Sequence, residues 1–383
     1  MDNTSEDIEF LEEEKLDVNI SFVQRGRQDL LNESEMGIPI SHDAYVSTTP
    51  AQDFKSISIG EPQKCRDGRE SFYAYPIYVE NQAVSQRRYN EFVWLRNQLL
   101  SKYPGCIIQA LPDKEGITGY WTNQDPMFYE FRRYGLEKFI QRVGNHQILG
   151  RCIDFLSFIK DDELNFTIRL RESQISKGWM SKITDFSSSF SSIISTYVQR
   201  DHIILQNDAD IAFNYFRTEL KNLLQQQENL RANTNKIIIS LENEINSSLV
   251  MSKAYESMSR IEKENVSVKL KILASTHQQI AESQRTSYNK IKSLSGKEIE
   301  DYYKLTLGAF EALERRNRIR SENSNADVDI DELNETLKQD MEKFYKDKNS
   351  LAKIIGVNMI SYKKEMTEVL AEIWKESHTR ISD

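Results

Sequence analysis

Arg87-Arg-Tyr-Asn-Glu-Phe92, the stretch RRYNEF, is the point at which the apolar periodicity of the chain changes. Upstream of it, residues 54–59 alternate apolar and polar side chains and residues 72–79 are rich in aromatic ones, so both are predicted strands. Residues 86–89 are a third predicted strand, and the glycine-containing stretch 60–68 is predicted to form turns. The sequence therefore begins its folded part with a three-stranded antiparallel sheet.

Downstream of that stretch, apolar side chains recur every three to four residues. This spacing predicts one helix over 91–101, with Phe92, Leu95 and Leu99 on its buried face, a second over 127–144 and a short third over 151–159. Strands followed by helices predict a small α+β unit.

The last two hundred residues have a different character. No proline follows residue 126, and only three glycines follow Gly178. This scarcity of proline and glycine is what long uninterrupted helices require. Two apolar stripes run along this region, spaced by sums of three and four. The first contains Phe213, Phe216, Leu220, Leu223, Leu230, Ile237, Leu241, Ile245 and Leu249. The second contains Leu333, Leu337, Met341, Phe344, Leu351, Ile355, Met359, Tyr362, Met366, Val369 and Ile373. They predict an all-α, coiled-coil-like bundle of three long helices.

Basic side chains stand in three separate segments: the opening stretch, Leu111-Pro-Asp-Lys114 and Arg132-Arg-Tyr-Gly-Leu-Glu-Lys-Phe139. Guanidinium groups bind phosphate oxygens bidentately, a lysine acts as a point charge, and a tyrosine ring can stack against a polyol ring. The residue types alone do not decide between an anion site and a set of solvated charges.

These segments resemble a known family. Residues 54–160 are similar to a phox-homology (PX) domain, because Arg-Arg-Tyr-x-x-Phe, Leu-Pro-x-Lys and Arg-x-x-Gly-Leu-x-x-Phe occur in the family's order and approximate spacing. A PX domain before a helical rod resembles the sorting nexins whose rod is a BAR domain. The segment 104–114, the Phe155-Leu-Ser-Phe end of the domain and the late Glu372-Ile-Trp are similar to the recycling and autophagy subgroup of nexins four, seven and thirty.

The resemblance implies a lipid site. Arg88 would bind the 3-phosphate of phosphatidylinositol 3-phosphate, Tyr89 would stack under the inositol ring, Lys114 would contact the 1-phosphate and Arg132 would hydrogen-bond the ring hydroxyls. The neighbouring Arg87 and Arg133 are expected to add general positive potential.

The chain departs from the family pattern at two places. Gln109-Ala110 stands where the family usually has Pro-Pro, which leaves the following loop less stiff. His146-Gln147 stands where the family usually has His-Pro.

Two segments have the composition of membrane-inserting elements. The glycine-rich loop 116–121 carries Ile117, Tyr120 and Trp121, which suit the bilayer interface but could also fold back into the core. Residues 178–198 place apolar side chains on one helical face opposite serines and threonines, as curvature-sensing helices do. This stripe, which could instead pack on the rod or on the first domain, contains Trp179, Ile183, Phe186, Phe190, Ile193 and Tyr197.

The densest basic cluster, Arg315-Arg-Asn-Arg-Ile-Arg320, lies at the predicted end of the second long helix. It could meet anionic lipid at a tip of the rod. Alternatively, it is a solvated helix end at which cations are favoured.

Composition narrows the function classes. Residues 1–52 alone account for the formal net charge of −9, which predicts an acidic, disordered tail. The three cysteines form no CxxC pair, and no stretch is long and apolar enough to span a bilayer. The start lacks signal-peptide features, and no catalytic motif is present. We therefore expect no enzyme activity, metal or cofactor, no nucleic-acid partner and a cytoplasmic location.

The predicted organisation is a tail (1–52), a PX domain (53–162), a linker with an amphipathic helix (163–200) and a BAR-type dimerisation domain (201–383). The implied function is that of a peripheral protein of the endosomal membrane, which binds phosphatidylinositol 3-phosphate and senses or stabilises curvature during cargo sorting, recycling and autophagy. It would act as a homodimer, or as a heterodimer with another sorting nexin, with the stripes of 201–383 forming the interface. The alternative is a cytosolic coiled-coil scaffold whose PX-like domain binds protein.

Overall fold

The computed structural model of the chain describes residues 56–67, 70–113, 126–162, 165–168, 208–322 and 329–382. The predicted tail lies outside these residues, and so does nearly all of the predicted linker. All the described residues belong to one compact unit.

Four strands of the described residues form one antiparallel sheet: β1 (Ile57–Ile59), β2 (Gln63–Asp67), β3 (Glu70–Val79) and β4 (Gln82–Arg88). β3 is central, because it pairs with each of the other three. β3 and β4 are joined by a tight turn in which Glu80 (φ 51°) and Asn81 (φ 64°) are both left-handed, as two-residue hairpin turns require.

The sheet therefore has one strand more than the sequence predicted. β2 occupies part of the stretch that was expected to form turns, with Gln63 opposite Ala74 and Cys65 opposite Phe72. Its residues Gln-Lys-Cys-Arg-Asp have little strand propensity of their own. Pairing with the aromatic-rich β3 outweighs that local preference, since strand formation depends more on cross-strand partners than on propensity.

The predicted helices of the first domain are present. They are α1 (Tyr89–Lys102), α2 (Pro126–Gly144) and α3 (Ile153–Lys160), with a 3₁₀ turn at Leu149–Arg151 before the last. The apolar face predicted for α1 is fully buried and packs with α2, α3 and the sheet in one hydrophobic core.

The rod is formed by α4 (Asp208–Ser259), α5 (Glu264–Leu294), α6 (Glu300–Glu322) and α7 (Ile330–Ser382). A π-helical turn, Ser295–Ile299, joins α5 to α6, so that these two helices form one arm of a three-helix bundle. α4 and α7 have 52 and 53 residues, a length of about 80 Å at 1.5 Å per residue. Among the described residues, no helix combines the length and the apolar character needed to cross a membrane.

The interface role expected of the two apolar stripes is wrong for the half of their members that the chain buries itself. Phe213, Leu220, Leu241 and Ile245 are buried within the single chain, as are the stripe residues of α7 from Leu333 to Ile355. Each stripe covers the other arms of its own bundle, and therefore these side chains are not available to a second chain. The exposed apolar residues of the rod include one stripe member, Val369, and several residues outside the stripes, among them Ile239, Val250, Ile354, Val357, Ile360 and Trp374.

Candidate functional site

Arg88 and Tyr89 lie at the junction of β4 and α1. Arg88 keeps an extended backbone (φ −84°, ψ 157°), and its N–H donates to Glu91 Oε2 at 2.8 Å, which closes the first turn of the helix. The Arg88 guanidinium carbon lies 3.5 Å from the centroid of the Phe72 ring on β3. The strand end thus presents a guanidinium group that is supported by an aromatic face.

Tyr89 is the central side chain of the candidate site. Its hydroxyl donates to the carbonyl oxygen of Pro112 at 2.5 Å. Burial raises the pKa of Tyr89 to about 12, even though the positive charge of Arg132 acts to lower it. The phenol therefore keeps its proton and holds residue 112 against α1.

Arg132 on α2 completes an aromatic and cationic wall. Its guanidinium carbon lies 4.9 Å from the centroid of the Tyr89 ring and 4.2 Å from that of Phe128. Burial raises the pKa of Tyr75, against the lowering effect of Arg132, so that its phenol also stays neutral. We call Tyr89 and Arg132, with the Phe128 ring, the headgroup wall.

Three of the four predicted lipid-binding residues are therefore in the described part of the chain. Tyr89 and Arg132 are in contact, and Arg88 is the chain neighbour of Tyr89, although its guanidinium group lies over Phe72. Lys114 lies outside the described residues, directly after Asp113.

The aromatic supports of the site were not predicted from the sequence. Tyr73 and Tyr129 stack with ring centroids 3.9 Å apart, and Phe72 and Phe128 each lie under an arginine. A usable signal was present, because Phe72-Tyr73 and Phe128-Tyr129 are the aromatic pairs of the strand and of the helix that flank the basic segments.

Arg87 does not supply general positive potential. Its side chain is 1 % exposed, and it donates to the carbonyl oxygens of Phe158 at 2.8 Å and of Asp161 at 2.5 Å. Its guanidinium carbon also lies 4.3 Å from the Phe166 ring. Arg87 therefore fastens the end of α3 to the sheet.

Arg133 is also committed to internal contacts. It donates to Glu130 at 2.8 Å and to the carbonyl oxygen of Ile59 at 2.7 Å, and it is 3.4 Å from Glu137. The pKa of Glu130 is lowered, chiefly by its hydrogen bond to Arg133. The positive charge is thus neutralised locally, which corrects the sequence interpretation.

The predicted membrane-inserting side chains stay predictions. Ile117, Tyr120 and Trp121 lie outside the described residues, and so do the apolar residues of the second segment: Trp179, Ile183, Phe186, Phe190 and Ile193.

Neither interpretation of the basic cluster Arg315-Arg-Asn-Arg-Ile-Arg320 describes Arg315, Arg316 and Arg320, because all three make contacts within the chain. Arg316 is buried and pairs with Asp210 at 2.5 Å, and Arg320 pairs with the same carboxylate at 2.8 Å. Arg315 donates to the carbonyl oxygen of Cys106 at 2.9 Å. These arginines bind the arms of the rod to one another and the first domain to the rod.

The first domain rests on the rod at two glycines. A β-carbon on Gly296, in the π-helical turn, would lie 2.5 Å from the Phe131 ring. A β-carbon on Gly308 would lie 2.6 Å from the carbonyl oxygen of Ile108. Both positions are therefore restricted to glycine by the close approach of the first domain.

Cys106, His146 and Asp340 come together where α7 meets the first domain, with one potential ligand atom of each within 4.8 Å of the others. Their distant positions gave the sequence no spacing signal. The N–H groups of Ile148 and Leu149 donate to His146 Nδ1, so Nε2 carries the proton and donates to Asp340 at 2.8 Å. Burial raises the pKa of the Cys106 thiol, which disfavours the reactive thiolate. The cluster thus attaches the first domain to α7.

Comparison with known proteins agrees with this architecture. A model described as "PX domain" matches residues 75–162. Over 84% of its length the chain superposes on 99% of a chain in the cryo-EM structure of the SNX-BAR Mvp1 tetramer, with a TM-score of 0.60 and 15% sequence identity. The chain has the fold of a PX-BAR sorting nexin. The first domain is its PX domain, and the rod is its BAR region.

Individual relatives are sorting nexins. The PX-BAR chain is 38% identical to sorting nexin-4 of Mus musculus over 126 residues, which are 28% of each protein. It is 30% identical to sorting nexin-30 of the same species over 117 residues, or 28% of this chain and 27% of that protein. Sorting nexin 1 of Arabidopsis thaliana is 26% identical over 46% of each protein. The matches to sorting nexin-4 and sorting nexin-30 confirm the resemblance to their subgroup, and all three matches span less than half of each relative.

Proposed function

We propose that the chain is a peripheral membrane protein that binds phosphatidylinositol 3-phosphate with its PX domain and dimerises through its BAR region. The lipid ligands are Arg88, Tyr89, Lys114 and Arg132. In this role the dimer acts on curved endosomal membrane during cargo sorting and recycling.

The contact of Arg132 with Tyr89 is the observation that carries the proposal. A neutral, half-buried tyrosine ring beside a guanidinium group offers a stacking surface and bidentate donors in one place. Arg88 adds a second guanidinium at the adjacent chain position. A phosphorylated polyol presents the phosphate oxygens and the ring that such groups recognise.

The exposed apolar residues of the rod support dimerisation with a second copy. Ile354, Val357 and Ile360 are spaced by three along one side of α7, and Ile360 is 71 % exposed. A cleft between α4, α5 and α7 is lined by Ile239, Trp374 and other side chains. An apolar surface of this kind on a long helix is typical of an interface. Linking two lipid sites in this way raises avidity by about 10²–10⁴ when both can engage.

Catalysis has no place in this proposal. Burial raises the pKa of Cys152 to about 11 and that of Cys106 further, so neither thiol is an activated nucleophile. The His146–Asp340 pair beside Cys106 is used for attachment.

Vesicle flotation tests the lipid site. Full-length chain is floated with phosphatidylcholine vesicles that contain phosphatidylinositol 3-phosphate or unphosphorylated phosphatidylinositol. We expect flotation only with the phosphorylated lipid. Arg88→Ala should weaken it about 10- to 100-fold, the range that corresponds to hydrogen bonds with a charged group. Arg151→Ala removes an exposed arginine of the same domain and should float like the wild type.

Two outcomes would overturn the proposal. Equal flotation with both lipids would mean that the headgroup is not read, and unchanged flotation of Arg88→Ala would remove the predicted site. Either result would favour the scaffold whose PX-like domain binds protein.

A further inference from the structure

Residues 105–113 follow α1 without regular secondary structure and meet the headgroup wall at Pro112. Buried backbone groups in such a segment need partners, and the rod supplies many of them. Ile107 N donates to Asp340 at 2.7 Å, and Ala110 N donates to the carbonyl oxygen of Lys304 at 3.2 Å. Arg315 donates to the carbonyl oxygen of Cys106. The conformation of this segment therefore depends on the rod.

Gln109 and Ala110 stand where the resembled family has two prolines, yet the segment is held firmly. The Gln109 side chain is buried, donates to Asp301 at 2.8 Å and accepts from Arg142 at 2.5 Å. Gly308 lets the rod backbone approach residues 108 and 109 directly. Contacts with the rod thus replace the stiffness that prolines would provide.

The end of the segment is anchored by an ion pair. Lys304 on α6 is 6 % exposed, and its Nζ lies 2.6 Å from Asp113 Oδ1 and 3.5 Å from Glu300. Burial acts to lower the pKa of Lys304, but the two carboxylates outweigh it and the pKa is raised. Lys304 therefore stays charged, and it holds the half-exposed Asp113 against the rod.

Asp113 directly follows Pro112, whose carbonyl oxygen accepts the hydrogen bond of Tyr89. Pro112 is also close-packed on α2, since a β-carbon on Gly135 would lie 2.5 Å from its ring. On the other side of the wall, Phe131 beside Arg132 packs on Gly296 of the rod. The headgroup wall is thus supported from the rod at two places.

We propose that Lys304 is a positioning residue of the headgroup site: by pairing with Asp113 it fixes Pro112 and, through the Tyr89 hydrogen bond, the wall formed by Tyr89 and Arg132. The affinity for a 3-phosphoinositide headgroup is therefore coupled to the rod, outside the PX domain itself. This inference rests on the proposed function.

Asp113→Asn is the decisive variant, because positioning and simple electrostatics predict opposite signs. Removing a negative charge near an anion site would by itself tighten binding of the anion. Loss of positioning weakens it, and we expect a loss of about fivefold or more, the lower range of coupling between sites. Binding of water-soluble dibutanoyl phosphatidylinositol 3-phosphate to the full chain is measured by calorimetry, so that avidity on vesicles does not contribute.

Further variants separate positioning from stability. Asp113→Glu keeps the carboxylate and should recover most of the affinity. Lys304→Met should weaken binding to a similar extent, and the double variant Asp113→Asn/Lys304→Met should be no weaker than either single variant, because both remove one interaction. Lys290→Met and Glu365→Gln remove an ion pair internal to the rod and should bind like the wild type.

The outcomes distinguish the inference from the function on which it rests. Wild-type affinity or tighter binding in Asp113→Asn, with binding still lost in Arg88→Ala, would overturn the role of Lys304 and leave the lipid site standing. An affinity that falls only in variants with a lowered Tm would show a structural role alone. Absence of binding by the wild type would overturn both.

Discussion

The two ends of the rod differ in how completely a single chain covers them. At the end that carries the PX domain, charged groups are buried in pairs, such as Arg316 (1 % exposed) with Asp210 (0 %) and Arg96 with Glu311. Towards the other end, apolar residues such as Val369 and Trp374 face solvent, and ion pairs such as Lys364–Glu368 are exposed. The charged groups of the first end are covered within the chain and those of the other end are exposed, whereas exposed apolar side chains occur at both ends.

Buried ion pairs and exposed apolar side chains contribute differently to contacts of the rod. Buried ion pairs contribute little net stability, because desolvation offsets their attraction, but their geometry is specific. Arg96–Glu311 holds the PX domain in one position on α6, and Arg316–Asp210 holds α6 against α4, which apolar contacts would do less selectively. The exposed apolar residues have no directional preference, and burying them against a second copy would be favourable in proportion to area.

The largest expected effect is at the buried ion pair. Asp210→Ala would leave Arg316 and Arg320 without this carboxylate, and we expect the free energy of unfolding to fall by about 3–5 kcal/mol, as when one partner of a buried pair is removed. Chemical denaturation of the full chain measures it. Glu368→Ala, at an exposed pair of the other end, should change it by less than about 1 kcal/mol. Equal effects of the two variants would contradict the contrast between the ends.

Two glycines of the rod, one against the PX domain and one facing open space, give smaller effects of opposite sign. Gly308→Ala places a methyl group against the Ile108 backbone and should lower the free energy of unfolding by about 1–3 kcal/mol. Gly356→Ala meets nothing within 4 Å and should raise it by roughly 0.5–1 kcal/mol through helix propensity. Thermal unfolding measures both shifts. A neutral Gly308→Ala would mean that the PX domain does not press on α6 as described.

The smallest expected effect is a pH dependence of stability that arises from His277, in the part of the rod away from the PX domain. His277 stacks near Tyr255 and Trp374, and burial lowers its pKa below the ordinary 6.5. The unfolded chain therefore takes up a proton that the folded chain resists, so this residue's contribution is complete above pH 6.5 and declines below it. His277→Phe keeps the ring and should lose less stability than the wild type between pH 7.5 and 5.5. Chemical denaturation at both pH values measures the change. Equal losses of unfolding free energy in the two proteins would show that His277 does not contribute to the pH dependence of stability.

Long periodic elements were predictable from the sequence. The first two PX helices and the rod helices span 14 residues or more each, so that their apolar spacing is unambiguous. The short strand β2 was not predictable, because its residues favour turns and its stability comes from β3. The π-helical turn was also missed, although Gly296 and Gly308 were among the few glycines of the region and mark where the PX domain packs.

The sequence predicted which residues form the candidate site better than it predicted the contacts they make. Adjacent side chains of a strand point to opposite faces, and this alternation alone could have separated the buried Arg87 from Arg88. The contacts between Lys304 and Asp113, or Arg316 and Asp210, join residues about one or two hundred positions apart. Such pairs have no local pattern, and only the packing of the PX domain and the rod brings them together.

The proposal that exposed apolar residues of α7 contact a second copy is tested most directly by the mass of the full chain in solution. Sedimentation equilibrium should give twice the chain mass for the wild type and for Gln225→Glu, an exposed position of α4 in the half that carries the PX domain. Ile360→Glu should shift the equilibrium to single chains, because it places a charge among the exposed apolar residues. A wild type that stays a single chain, or an Ile360→Glu variant that remains paired, would contradict the account.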